Sequence, residues 1–229
     1  DMKLDSENHR VAASATAIGA QGARLIIVPV EVFVDGRFYQ TLRVAVNGAI
    51  GHFQFDCENL PGGRHTLAFD NLPPVKISLP IVLWQIGNLP DSTFARTDFK
   101  KFAGDPNFIL GRSGPGTDWP TAQPGPVDVW AGGKSHTYTI TFTEDKLVDG
   151  GAGQLVIDVS DEQRSFPPNL SIEINNCKSE RSVPTAGAGQ MTVPFPAGTL
   201  HVGTNQIRIT TVTGSWLVYR DLKLCAPDN

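Results

Sequence analysis

The 229 residues carry 23 acidic and 19 basic side chains, a formal net charge of −4, and no basic run. That balance excludes nucleic acid and anionic membrane surfaces as expected partners. No stretch approaches ~18 consecutive apolar residues, so no helix is expected to span a bilayer. The amino terminus, DMKLDSENHR, shows no charged-then-apolar leader, so any secretory signal is expected to lie outside this sequence.

Residues 1–22 are polar and then Ala/Gly-rich (VAASATAIGAQGA), which predicts a flexible N-terminal segment. From Leu25 the chain turns strand-like. RLIIVPVEVFVDGRFYQTLRVAV holds Asp35-Gly36 between two β-rich runs, a strong hairpin signal, with Val30, Val32 and Val34 on one face. GHFQFDCENLPGGRHTLAF reads as a second hairpin, turned at Leu60-Pro61-Gly62-Gly63. Residues 23–80 therefore predict a small β-sandwich, and the prolines at 73, 74 and 80 mark its end.

Residues 81–229 predict a second all-β domain. Strands are expected at Ile81–Ile86, Ser135–Thr143, Gln154–Val159, Ser171–Asn175, Gln190–Phe195, Gln206–Val212 and Trp216–Leu224, separated by Gly/Pro/Asn turns in the jelly-roll manner. FARTDFKKF, between Thr93 and Phe102, is the one expected short helix. No internal repeat links the two halves.

Three cysteines, Cys57, Cys177 and Cys225, form neither a zinc spacing nor a dense disulfide framework. One pair is open to them, and Cys177 with Cys225 is favoured because both fall in the second domain; Cys57 shares parity with Phe53 and Phe55 and reads as a buried thiol. Asn169-Leu170-Ser171 has the form of a glycosylation sequon. An extracellular setting is expected.

The stretch FILGRSGPGTDWPTAQPGPVDVW, Phe108 to Trp130, places Arg112, Asp118, Trp119 and Trp130 among glycines and prolines, where few ladder bonds can form. Flat indoles suit a pyranose face, and charged forks suit hydroxyls and carboxylates, so this loop is the candidate saccharide site. Each residue has a plainer alternative. Trp119 is a stacking platform or an aromatic plug over the sandwich; Trp130 is a second platform or core. Arg112 forks to a uronate or pairs with Asp118 or Asp91. Trp84 and Trp216 read as core, the latter by parity with Val218, Leu222 and Leu224. His136 and Tyr138 share parity with Ile140 and Phe142, which puts them on an apolar face. No GxSxG, HExxH or P-loop occurs.

Several motifs in order, Trp84-Gln85-Ile86-Gly87, Gly111-Arg112-Ser113 with Asp118-Trp119, Asn175-Asn176, Pro196-Ala197-Gly198-Thr199-Leu200 with Gly203-Thr204-Asn205-Gln206-Ile207, and Tyr219-Arg220-Asp221, resemble the C-terminal jelly-roll of the rhamnogalacturonan lyases, polysaccharide lyase family four. The preceding hairpin is similar to that family's fibronectin type III-like (prealbumin-like) middle domain. The family's N-terminal β-sandwich, which carries its lyase lysine and histidine, has no counterpart here.

The resemblance implies a fibronectin-like sandwich followed by a carbohydrate-binding-type jelly-roll. It implies a non-catalytic unit for pectic or other acidic plant polysaccharide, with a catalytic domain upstream in the natural protein. Trp119, Trp130, Arg112, Asp118 and Asn176 would hold the glycan. No cofactor is required; Asp221, near the end of the last strand, is the candidate for a structural calcium of the kind carbohydrate-binding jelly-rolls hold there. Two other readings remain open: a small stand-alone lyase using the jelly-roll groove through Lys134, His136 and Tyr138, and an extracellular structural or protein-docking module.

Overall fold

The computed structural model describes residues 3–5, 10–16, 25–47, 50–57, 60–70, 72–87, 104–115, 117–183 and 189–227. The chain is all-β, as expected, and divides into two compact units, Asp1–Ile81 and Val82–Pro227. Among the described residues, helix is confined to two three-residue 3-10 turns. The short helix expected at FARTDFKKF lies outside the described residues.

Unit 1 is one antiparallel sheet built from β1 (Lys3–Asp5), β2 (Arg10–Thr16), β3 (Leu25–Val34), β4 (Arg37–Asn47), β5 (Ile50–Asp56), β6 (Gly63–Phe69) and β7 (Val75–Leu79), in the order β1-β2-β5-β4-β3-β6-β7. Asp35 and Gly36 both take left-handed φ, 52° and 76°, and close the β3–β4 hairpin as their sequence dictates. β5 meets β4 only at Asn47–Ile50, and β6 meets β3 only over Val32–Val34. The long ribbon therefore carries one wing of strands at each end.

The wings fold towards each other. In a flat sheet β5 and β6 would lie three strand spacings apart, roughly 14 Å, yet Phe69 lies 5.4 Å from Phe53 and 5.8 Å from Phe55, ring centroid to centroid. These rings join Val30, Val32, Val44, Val46, Leu67 and Ile77 in a closed core that also holds Cys57.

Two sequence expectations change here. GHFQFDCENLPGGRHTLAF is not a hairpin, because β5 pairs with β2 and β4 whereas β6 pairs with β3 and β7. The residues 1–22 are not all tail: β2 pairs with β5 along its whole length, from Arg10–Asp56 to Thr16–Ile50. Alanines carry little intrinsic strand preference; an open neighbouring edge makes this strand.

Asp35 also ties the hairpin to β6. Its carboxylate accepts the Thr66 N–H at 2.8 Å, and its other oxygen lies 2.8 Å from His65 Nδ1. The backbone hydrogen bond from Thr66 first, and His65 second, hold its pKa below the ordinary 3.8. A lowered carboxylate pKa stabilises the fold fully above the unfolded value and ceases to do so as pH falls through the folded one. Asp35→Asn preserves the turn, because Asn tolerates left-handed φ. Its unfolding midpoint is expected to fall less steeply than wild type between roughly pH 5 and pH 2, followed by calorimetry; parallel acid limbs would contradict this.

Unit 2 is a two-sheet sandwich. One sheet contains β8 (Ile81–Ile86), β10 (Ala122–Gln123), β12 (Gly153–Glu162), β15 (Gly189–Phe195) and β17 (Leu217–Ala226), in the order β10-β17-β12-β15 with β8 also on β17. The other runs β14 (Cys177–Ser182), β13 (Asn169–Ile174), β16 (Gly203–Thr213), β11 (Thr137–Glu144), β9 (Asn107–Ile109). The inward residues of both, among them Trp84, Phe108, Ile140, Phe142, Leu155, Ile157, Ile172, Ile207, Leu222 and Leu224, make one core. β14, CKSERS, has no apolar alternation to predict it; it is a half-exposed, charged edge strand, which discourages further pairing.

All three cysteines are free. The expected Cys177–Cys225 bond is absent; the two thiols stand on β14 and β17, in different sheets. Cys57 is buried, as its parity predicted, and burial pushes its thiol up to about 11.

Candidate functional site at one end of unit 2

The centre of the glycine- and proline-rich stretch is internal. Trp119 has no exposed surface and meets Tyr138, Tyr219 and Phe108 with ring centroids 5.3, 5.6 and 6.1 Å away. Gln123, equally buried, spans the two sheets: Nε2 donates to the carbonyls of His136 and Ile209, both at 2.8 Å, while Oε1 accepts from the Tyr219 hydroxyl. Tyr138 donates to the Ala122 carbonyl. The stretch runs through the core and fastens it. Trp119 is the plug of the two alternatives, and cannot present a face to a sugar.

His136 and Tyr138 are buried too. His136 lies 3.0 Å from Asp105 through Nδ1 and 2.9 Å from the Ala131 carbonyl through Nε2. Burial raises the Tyr138 and Tyr219 phenols well above their ordinary range. Neither His136 nor Tyr138 can reach a polymer for proton transfer, which requires hydrogen-bond approach.

The remaining expected contacts are scattered. β9 runs parallel to β11 and ends opposite Thr141, so the 110–118 loop with Arg112 and Asp118 leaves the sheet at that end. Asn175 and Asn176 turn β13 into β14 at the same end, but three strands away across the sheet, roughly 14 Å. Asp118 closes its own loop by accepting the Gly114 N–H at 2.8 Å, and Arg112 is exposed, with no ion pair to Asp118 among the described residues.

Asn176 is exposed, whereas Asn175, at φ 50°, is a fastener. Its amide donates to the Thr199 carbonyl and to Asn205 Oδ1, both at 2.8 Å, and its own Oδ1 accepts from Gln206 N–H at 2.9 Å. Trp130 lies at the opposite end of β11. The structure does not bring Arg112, Asn176 and Trp130 together in one cluster.

Asp221 is engaged within the fold. Both its oxygens accept from Gln85 Nε2, at 3.0 and 2.9 Å, and Lys223 Nζ stands 3.1 Å away. Hard cations need several oxygens, and among the described residues no three His, Cys, Asp or Glu gather anywhere. The motif pair Trp84-Gln85-Ile86-Gly87 and Tyr219-Arg220-Asp221 thus meets as a clasp between β8 and β17. A Cβ on Gly87 would lie 2.4 Å from Gln85 Nε2 and 2.7 Å from Asp221 Oδ1, so a larger residue there would push the clasp aside.

Three loops converge at the end where Trp130 stands: 124–136, 163–168 and 214–216. The Asp128 carboxylate, buried, accepts the Gly125 N–H at 2.7 Å and the Ser215 hydroxyl. Val127 N–H donates to Gly214 O at 3.3 Å, Ser215 N–H to Phe166 O at 2.9 Å and Gln163 N–H to Trp216 O at 3.1 Å. Gly214, at φ 79°, lets the loops touch, since a Cβ there would sit 2.1 Å from Pro167 O.

On this braced frame Val129 is 85% and Phe166 58% exposed, Val127 is also exposed, and Trp130 and Trp216 are half-buried. Exposed aromatic and aliphatic groups on a rigid loop cluster form a surface on which a flat, partly apolar ligand can lie.

No family model and no curated protein matches the chain, so the resemblance to rhamnogalacturonan lyases rests on the motifs alone. Among solved structures, the chain is similar to a family 35 carbohydrate-binding module from an environmental isolate, at 13% identity and TM-score 0.31, over 41% of this chain and 69% of that one. It is similar to the cycloalternan-forming enzyme from Listeria monocytogenes in complex with a pentasaccharide substrate, at 15% identity and TM-score 0.34, over 97% of this chain and 20% of that one. A calcium-binding mutant of Bacteroides uniformis β-glucuronidase 2 follows at 12% identity and TM-score 0.31, covering 93% and 30%. The chain thus spans less than a third of either enzyme. At such scores the loop end stands on its own geometry.

Phe166 and Trp216 escaped the sequence reading for different reasons. Phe166 sits in QRSFPPN, where an aromatic before two prolines was the available signal. Trp216 was given to the core by parity with Leu222 and Leu224, but β17 bulges at Arg220: Asp158 faces Asp221 while Val159 faces Tyr219. The extra residue reverses the alternation, so Leu217 and Tyr219 point inward with the leucines, and Trp216 falls in the opposite phase.

Proposed function

We propose that this chain is a non-catalytic carbohydrate-binding unit for pectic or other acidic plant polysaccharide. Its contact surface is the loop end that carries Phe166, Val129, Trp130 and Trp216. The observation that carries this reading is the exposed Phe166 on loops locked by Asp128 and Ser215, because a stacking surface must be both open and preorganised to bind a sugar with modest apolar area. The motif resemblance to rhamnogalacturonan lyases supports the pectic class. In that role the chain would act outside the cell, beside a catalytic domain in the natural protein.

Affinity electrophoresis in gels containing rhamnogalacturonan or polygalacturonate tests the reading. Wild type is expected to be retarded, and Phe166→Ala to lose about tenfold in affinity, the size of one aromatic contact. Its stability should change little, because the ring is mostly exposed. A folded wild type that no glycan retards, or a Phe166→Ala protein that binds as wild type does, would remove this surface from consideration.

A further inference from the structure

The same loop end carries charge as well as rings. Arg164 is exposed on the turn that ends at Phe166, closed by the Phe166 N–H to Gln163 O bond at 3.2 Å and by Ser165 N–H to Gln163 Oε1 at 3.3 Å. Lys134 is exposed just beyond Gly133, whose N–H donates to Asp128 O at 3.1 Å. Elsewhere in unit 2, Lys178, Arg208, Arg220 and Lys223 each face a carboxylate, at 3.7, 3.9, 3.5 and 3.1 Å. Arg164 and Lys134 face none among the described residues, as is also true of Arg112, Lys146 and Arg181.

Among the described residues no acid at this end forms an ion pair with Arg164 or Lys134. Asp128 is held by Gly125 and Ser215, and Asp105 accepts the Thr137 N–H at 3.0 Å beside His136. The exposed Asp161 turns Oδ1 to the Glu162 N–H at 2.9 Å, and Glu162 is buried. An arginine without a carboxylate partner thus shares one short turn with an exposed ring two residues on, and a uronic acid offers the two complementary groups: a flat face for the ring and a planar carboxylate for the fork.

We infer that Arg164 is the specificity-determining residue of this surface: it reads the free carboxylate of a uronate whose ring lies on Phe166, with Lys134 as a second, weaker cation. This rests on the glycan-binding reading above and sharpens it. A methyl ester keeps the ring but removes the charge and one acceptor oxygen's full strength. The surface should therefore prefer de-esterified polymer, and the preference should shrink with salt.

The test compares polygalacturonate with its methyl-esterified form in affinity electrophoresis, using wild type, Arg164→Gln, Arg164→Lys and Phe166→Ala, each checked for unchanged tryptophan emission. Wild type is expected to prefer the free acid by about tenfold or more, the worth of one charge-assisted pair. Arg164→Gln should bring that ratio close to one, and Arg164→Lys should leave it intermediate because the fork is lost while the charge remains. Phe166→Ala should weaken both polymers alike. A ratio that survives Arg164→Gln overturns the role of Arg164 while leaving glycan binding intact. If wild type binds neither polymer, the glycan-binding reading falls, and this inference with it.

Discussion

Trp119→Ala is expected to destabilise unit 2 by roughly 3–5 kcal/mol, the range for emptying a buried indole site. The ring fills the space between Phe108, Tyr138 and Tyr219 and has no exposed surface, so its removal leaves a cavity that neighbouring strands cannot collapse. All four tryptophans, Trp84, Trp119, Trp130 and Trp216, lie beyond Ile81. Tryptophan emission during urea unfolding therefore reports unit 2 alone, and three tryptophans remain as probes in the variant. The protein that stays folded should bind glycan as wild type does. Lost binding at unchanged stability would instead return Trp119 to the role of a sugar platform.

Gln123→Leu should cost about 3 kcal/mol, although it keeps the side-chain volume and increases apolar character. The leucine would take the amide from the Ile209 carbonyl and from the His136 carbonyl, which keeps the Thr211 N–H, and would leave the Tyr219 hydroxyl without Oε1. A buried polar group stripped of its partner suffers its full desolvation penalty, which exceeds what an added methyl supplies. The pairing with Tyr219 makes the effects non-additive. Adding Tyr219→Phe to Gln123→Leu should cost less than Tyr219→Phe costs alone, since the hydroxyl it removes is already orphaned. Simple additivity, or a Gln123→Leu cost below about 1 kcal/mol, would show that the amide does not hold the sheets together.

These two variants bear on what could be read in advance. Strict alternation in TYTITFT placed the inward face of β11 correctly, because a period of two has only two phases and one of them is apolar. Asp35-Gly36 specified its turn for an equally local reason: both positions need left-handed φ. The loop residues carry no comparable constraint. Nothing local tells whether a glycine- and proline-rich stretch passes over a sandwich or through it, and Trp119, Ala122 and Gln123 passed through. Arg112 and Asn176 are both exposed, but they stand apart, because strand order sets β11 and β16 between β9 and β13.

By itself, then, the amino-acid order determined the β class, the inward faces of strictly alternating strands and the Asp35-Gly36 hairpin turn, all of which follow from interactions a few residues long. Only tertiary structure decided the rest. A single bulge at Arg220 reversed the phase of β17 and moved Trp216 out of step with the core. Asp221 is bonded by Gln85, 136 residues earlier in the chain. The open surface came together from three distant loops around Asp128 and Ser215. Bonds of that separation depend on which strands become neighbours, and a linear pattern of two or three residue types does not encode it.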